Sequence, residues 1–78
     1  MTQELLNDII GKNVKKYRLL YNKTHKEKIT QEKLAEAIGS SVSLISNLES
    51  NAINQGISIT NLYKISIVLE VPINNFLK

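Results

Sequence analysis

A chain of 78 residues with a net charge of +3 and no cysteine leaves room for one domain, 1–78, with a modest core, and excludes disulfide staples, cysteine nucleophiles and cysteine-ligated zinc. Apolar runs such as Ile67-Val68-Leu69 are far below a membrane span, and the N-terminus has no basic region followed by an apolar stretch, so a cytoplasmic location is expected. No space remains for a separate ligand-sensing domain; regulation is expected to act through concentration, dimerisation or a partner, with no cofactor and no small-molecule ligand.

Hydrophobic periodicity predicts an all-α chain of five helices. Residues 3 to 21 carry Leu6, Ile10, Val14, Tyr17 and Tyr21 at steps of four and three, one face of a helix, with Leu5 and Ile9 widening it near the start. Residues 22 to 29 are polar, Lys-rich and without period, which reads as a loop. Thr30 is a natural N-cap for a second helix that buries Leu34, Ala35 and Ile38, and Gly39 ends it, because a residue without a Cβ enters the left-handed region at little cost. Ser40 or Ser41 then caps a third helix with Ile45 and Leu48 inward, Val42 or Leu44 at the margin, and Ser43, Ser46, Asn47 and Ser50 outward. A connection over 51 to 57 follows. Ser58 caps a fourth helix to about residue 70 with Ile59, Leu62, Ile65 and Leu69 inward; Pro72 stops it, and 73 to 77 forms a last short helical turn.

Residues 30 to 50 are thus two short amphipathic helices hinged on a glycine, the layout of a helix-turn-helix whose second helix enters a DNA major groove. Charge placement agrees. Between Lys12 and Lys33 lie eight basic residues against Glu27 and Glu32, while the rest of the chain is net acidic. The positive field therefore sits at the end of the first helix, the loop and the start of the second, where phosphates flanking the groove would lie; a merely solvated lysine loop is the alternative. The reading helix itself has no Lys or Arg. Asn47 suits adenine N6 and N7, Val42 a thymine methyl, and the serines either partner, so an AT-rich half-site is expected, with a solvated surface role the alternative for Asn47. Base-reading candidates are Ser41, Val42, Ser43, Ser46 and Asn47; backbone candidates are Gln31, Lys33, Ser40, Asn51, Lys23, Lys26 and Lys28.

Nothing points to catalysis. His25 has no second His and no carboxylate pair at ligand spacing, so a surface histidine is expected rather than a metal ligand; Ser43 and Ser46 have no neighbouring base, and no Gly-rich phosphate loop exists.

The string Thr30, Gln31, Leu34, Ala35, Gly39, Ser41, Ile45, Ser46, Leu48, Glu49 and Asn51 resembles the Cro and lambda-repressor-like helix-turn-helix family. Flanking matches at Ile10, Gly11, Val14, Tyr17 and Arg18, and at Ile59, Leu62, Ile65, Leu69, Val71, Ile73 and Phe76, extend the resemblance over nearly the whole chain. It implies a five-helix DNA-binding domain, a Gln31 side chain on the phosphate backbone, and an Arg18–Glu49 ion pair tying the first helix to the reading helix. The compact chain and extended first helix look most like controller proteins of restriction-modification systems, with phage or plasmid repressors close behind. Double-stranded DNA, a second copy of the chain and RNA polymerase are the candidate partners, and a protein-interaction module such as an antitoxin is the alternative from another class. One short helix reads few base pairs, so dimerisation is expected, through the apolar C-terminal residues Ile67, Val71 and Leu77 or through a rival patch at Leu5, Leu6 and Ile9.

Overall fold

A computed structural model of the chain describes residues 2–50 and 56–78. Four α-helices, α1 (Gln3–Thr24), α2 (Gln31–Ile38), α3 (Val42–Glu49) and α4 (Ile59–Leu69), are followed by a 3-10 helix over Ile73–Leu77. The expected fifth helix is therefore this tighter turn, started by Pro72, whose φ of −56° suits it.

The helix starts are made by single hydroxyls. Thr2, Thr30, Ser41 and Ser58 each accept the amide proton three residues on, at 3.1, 3.1, 3.2 and 3.1 Å, and Ser41 rather than Ser40 caps α3. Gly39 ends α2 at φ 71°, with Ser40 N–H donating to the Ala35 carbonyl at 2.9 Å and Gly39 N–H to Glu36 at 3.1 Å, the paired bonds of a Schellman ending. The same pair closes α4, but there the left-handed residue is Glu70, at φ 60°. The helix therefore stops before Pro72 can act. At the other end of the chain α1 continues three residues past the expected Tyr21. His25 N–H donates to the Tyr21 carbonyl and the His25 ring stacks on Tyr21 with centroids 3.5 Å apart, extending a helix whose last turn has no apolar residue to announce it.

α2 packs on α3 and α4, and α1 lies across α3, α4 and the 3-10 helix. The core is Ile10, Val14, Leu34, Ala35, Ile38, Ile45, Leu48, Leu62, Ile65, Leu69 and Phe76. Phe76 is fully buried, meets Tyr17 edge-on at 5.3 Å, and its carbonyl accepts from the Asn13 side chain at 3.0 Å, so the C-terminal turn is sewn to α1. One expected core residue is not there. Ile59 is 67 % exposed, while Ser66 is buried. The buried stripe runs through Leu62, Ile65, Ser66 and Leu69, and one turn back from Leu62 it falls on the cap Ser58, so Ile59 turns to the side.

α1 and α3 meet closely at Gly11. A Cβ built on Gly11 would stand 2.1 Å from the carbonyl oxygen of Leu48, so the two helices touch backbone to backbone at this point. Gly11→Ala is expected to destabilise the fold by about 2 kcal/mol, an overpacking penalty that exceeds the roughly 1 kcal/mol of helical propensity alanine adds. Urea unfolding measures this, and thermal unfolding should show a midpoint lower by roughly 10 °C.

Candidate nucleic-acid interface

Seating α3 against α1 leaves one long side of α3 in solvent. Val42, Ser43 and Asn47 are exposed and Ser46 half-exposed, and Ser43, Ser46 and Asn47 share a face by their spacing of three and four. Ser41 is exposed at the head of that face; its oxygen accepts from Leu44 N–H, leaving the hydroxyl proton to donate outward. No charged side chain stands on this surface, because the one acid of α3, Glu49, is turned inward and is 9 % exposed.

Glu49 is the centre of the polar framework behind the interface. Arg18 grips it in a fork, Nε to Oε2 at 2.8 Å and Nη2 to Oε1 at 2.8 Å, while Arg18 Nη1 donates to the Ile29 carbonyl at 3.2 Å. Gln31 adds its side-chain amide to Glu49 Oε1 at 3.0 Å. α1, α2 and α3 are thereby joined through one carboxylate. The bond to Glu49 pushes the Arg18 guanidinium above its ordinary range, against a smaller opposing effect of desolvation and with Coulombic attraction adding to it. A raised arginine value means that the contribution of the guanidinium's charge is lost only above the ordinary guanidinium range, so the arginine stays charged throughout neutral and mildly alkaline conditions.

At the N-terminus of α2, Lys33 N–H is taken by Thr30, which leaves the amides of Gln31 and Glu32 as the first-turn donors without an intrahelical partner. Gln31 itself is half-buried: its side chain serves Glu49, and its backbone amide faces the helix end. Lys33 is exposed beside it, and Ser40 is half-buried in the turn, its N–H given to Ala35. Asn51, a backbone candidate, lies outside the described residues. Of the loop lysines, Lys23 and Lys26 are exposed, whereas the ammonium of Lys28 donates to the Asn22 carbonyl and caps the end of α1. His25 is not the surface side chain expected from its polar surroundings: it is half-buried, stacked on Tyr21, with Nε2 3.4 Å from Glu70. Glu70 comes from far along the chain, which is why local sequence gave no sign of it. Among the described residues no group of three His, Cys, Asp or Glu could hold a metal ion.

Of the C-terminal apolar candidates, Ile67 and Leu77 are exposed and Val71 is half-buried. A residue that sequence reasoning passed over is Asn22, whose amide brackets Ile29 on both sides, accepting from its N–H at 2.7 Å and donating to its carbonyl at 3.1 Å.

Removing the shared carboxylate strands Arg18 in a largely buried setting. Glu49→Ala is expected to cost about 3 kcal/mol of stability, and Glu49→Gln distinctly less because an amide oxygen still accepts from the guanidinium. Urea unfolding of the two variants side by side reads the difference.

A family model described as Helix-turn-helix matches residues 14–76, which takes in the capped pair α2 and α3 and the helices that hold them. No curated protein matches the chain. No helix among the described residues is long and apolar enough to cross a membrane. The match covers most of the chain, and with the glycine-hinged helix pair and the outward polar face of α3 it places the protein: the chain belongs to the helix-turn-helix family of DNA-binding transcription regulators, in its Cro and lambda-repressor-like form.

Proposed function

We propose that the chain acts as a homodimeric regulator that reads an AT-rich operator half-site with α3, as a controller of a restriction-modification system. The observation that carries the reading is the composition of the outward face of α3, where Val42, Ser43, Ser46 and Asn47 offer a methyl contact, hydroxyls and one amide but no cation. An arginine fork on guanine has no source there, and a carboxamide pairs best with adenine. Charge for the phosphates comes from beside the face, at Lys33, Lys23 and Lys26. The 22-residue α1 supports the likeness to controllers over shorter repressor domains. A controller is expected to act on the promoter of its own gene.

Dimerisation has a surface available on α4. Ile59, Tyr63 and Ile67 follow one another at steps of four and are 67, 56 and 59 % exposed, an apolar stripe on a helix whose other side is core. Ile67 belongs to it, and Leu77, 40 % exposed, is the other apolar side chain open to a symmetry mate in this part of the chain. Two copies related by a dyad would set their reading helices roughly 34 Å apart, in successive major grooves.

The deciding experiment is an anisotropy titration against random-sequence duplex pools and against the promoter upstream of its own gene, at two salt concentrations. Selective, salt-dependent binding with two protomers per site and a selected core rich in A·T pairs is expected; a core read at guanine O6 and N7 contradicts the half-site. In the same assay Asn47→Ala should lose about 1–3 kcal/mol of discrimination at one base pair. The absence of cations on α3 also favours a second reading, a module that binds protein, as antitoxins do. No DNA binding beyond weak nonspecific attraction, together with salt-insensitive protein binding, would decide for it.

Ile67 is 59 % exposed and not part of the core, so Ile67→Lys should leave the circular dichroism spectrum of the monomer unchanged and shift the monomer–dimer equilibrium toward monomer by at least about tenfold in sedimentation equilibrium.

A further inference from the structure

The segment between α1 and α2 has a difficulty that its composition makes plain. Residues 25 to 28 are His, Lys, Glu and Lys, with no aliphatic side chain to pack the segment onto the domain, and the His25 ring stacks back on Tyr21 of α1 rather than reaching α2. Such a stretch cannot by itself fix where α2 begins. Yet the start of α2 must be fixed, because its first-turn amides and the outward face of α3 meet DNA as one rigid surface, the first setting the register in which the second reads.

Asn22 removes the difficulty. Its side chain accepts from Ile29 N–H at 2.7 Å and donates to the Ile29 carbonyl at 3.1 Å, so both polar groups of one residue seven positions away are held by one amide. The same carbonyl takes Arg18 Nη1 at 3.2 Å, and the carbonyl of Asn22 itself is capped by the Lys28 ammonium. Ile29 packs its side chain on the core and stands immediately before the cap Thr30, with Leu34 at the staple position of the following turn. A short rigid path therefore runs from α1 through Asn22 and Ile29 to Thr30 and the free amides of Gln31 and Glu32, and it bypasses the loop.

We infer that Asn22 is a positioning residue for DNA recognition: it locks the entry of α2 to α1, so that the phosphate-facing end of α2 and the reading face of α3 are presented together. The inference rests on the DNA-binding reading above. Chemistry singles out asparagine here, since an alanine makes neither bond and an aspartate keeps only the acceptor half, the shorter of the two.

The test compares Asn22→Ala and Asn22→Asp with the unaltered chain in titrations against its selected operator duplex and a random-sequence duplex, at temperatures where circular dichroism shows each fully folded. With the clamp gone the competent pose is one of several, and selectivity should fall about tenfold in Asn22→Ala. The slope of log affinity against log salt should stay unchanged, because no cation has been removed. Asn22→Asp should keep its ratio of operator to random binding within about threefold of the original, since the retained bond to Ile29 N–H still ties the segment down. Undiminished selectivity in folded Asn22→Ala would overturn the inference. Amide hydrogen exchange gives a second readout, needing neither DNA nor a variant: Ile29 N–H should be protected like an amide inside α1, and exchange at the rate of an open loop would overturn the clamp. Failure of the unaltered chain to select any DNA would instead strike the DNA-binding reading, and the exchange result would stand apart from it.

Discussion

The fork of Arg18 on Glu49 is the constraint around which the domain is arranged. Three helices contribute to it: α1 supplies the guanidinium, α3 the carboxylate and α2 the Gln31 amide that shares an oxygen of that carboxylate. A buried pair of this kind adds little net stability compared with apolar side chains of the same volume, because both charges were taken out of water to make it. Its value is geometric. A planar fork accepts few orientations of its partner, so it fixes the rotation of α3 about its own axis, and with it which residues face outward. A third donor of the guanidinium goes to the Ile29 carbonyl, so the entry to α2 is referred to the same side chain.

Around that centre the charges are divided by task. The cation that organises the fold is buried and paired with Glu49, the lysines beside it in the chain and on α2 are in solvent, and the exposed side of α3 is neutral. Keeping Glu49 inward matters for this division, since a bare carboxylate near a phosphate track would repel it. The layout is that of the helix-turn-helix family to which the chain belongs, carried here with a neutral outward face on α3.

Local chemistry was readable from the residues alone. Thr30, Gly39 and Ser58 do at the helix ends what a hydroxyl or a missing Cβ does anywhere, and the stripe of Leu34, Ala35 and Ile38 needs only its own spacing to be recognised. The features that escaped depend on residues distant in the chain or on exceptions to a propensity. Asn22 is one polar residue among several in a lysine-rich stretch until Ile29 folds back onto it. His25 looked solvated because Glu70, 3.4 Å away, is forty-five positions later. The end of α4 was expected at about residue 70 with Pro72 as the stop, but the stop is made by a glutamate in the left-handed conformation that usually calls for glycine, and no propensity argument selects it. Ile59 was misassigned because an apolar residue three positions before Leu62 fits a stripe at its edge as well as at its centre. In the candidate interface, the outward residues of α3 followed from periodicity, whereas the framework holding them followed only in part, through the family resemblance that paired Arg18 with Glu49.

The contact between Gly11 and Leu48 has a bearing on how this protein can change. Since the two helices meet through main-chain atoms, no substitution in a neighbouring side chain can make room for a larger residue at Gly11, and the seat of α3 is closed to gradual drift. The opposite side of the same helix contributes nothing to that seat. Ser43 and Asn47 are exposed and can be exchanged with no adjustment in the core, so the outward face can change by single steps on a platform that does not move: the scaffold is frozen and the surface it displays is free.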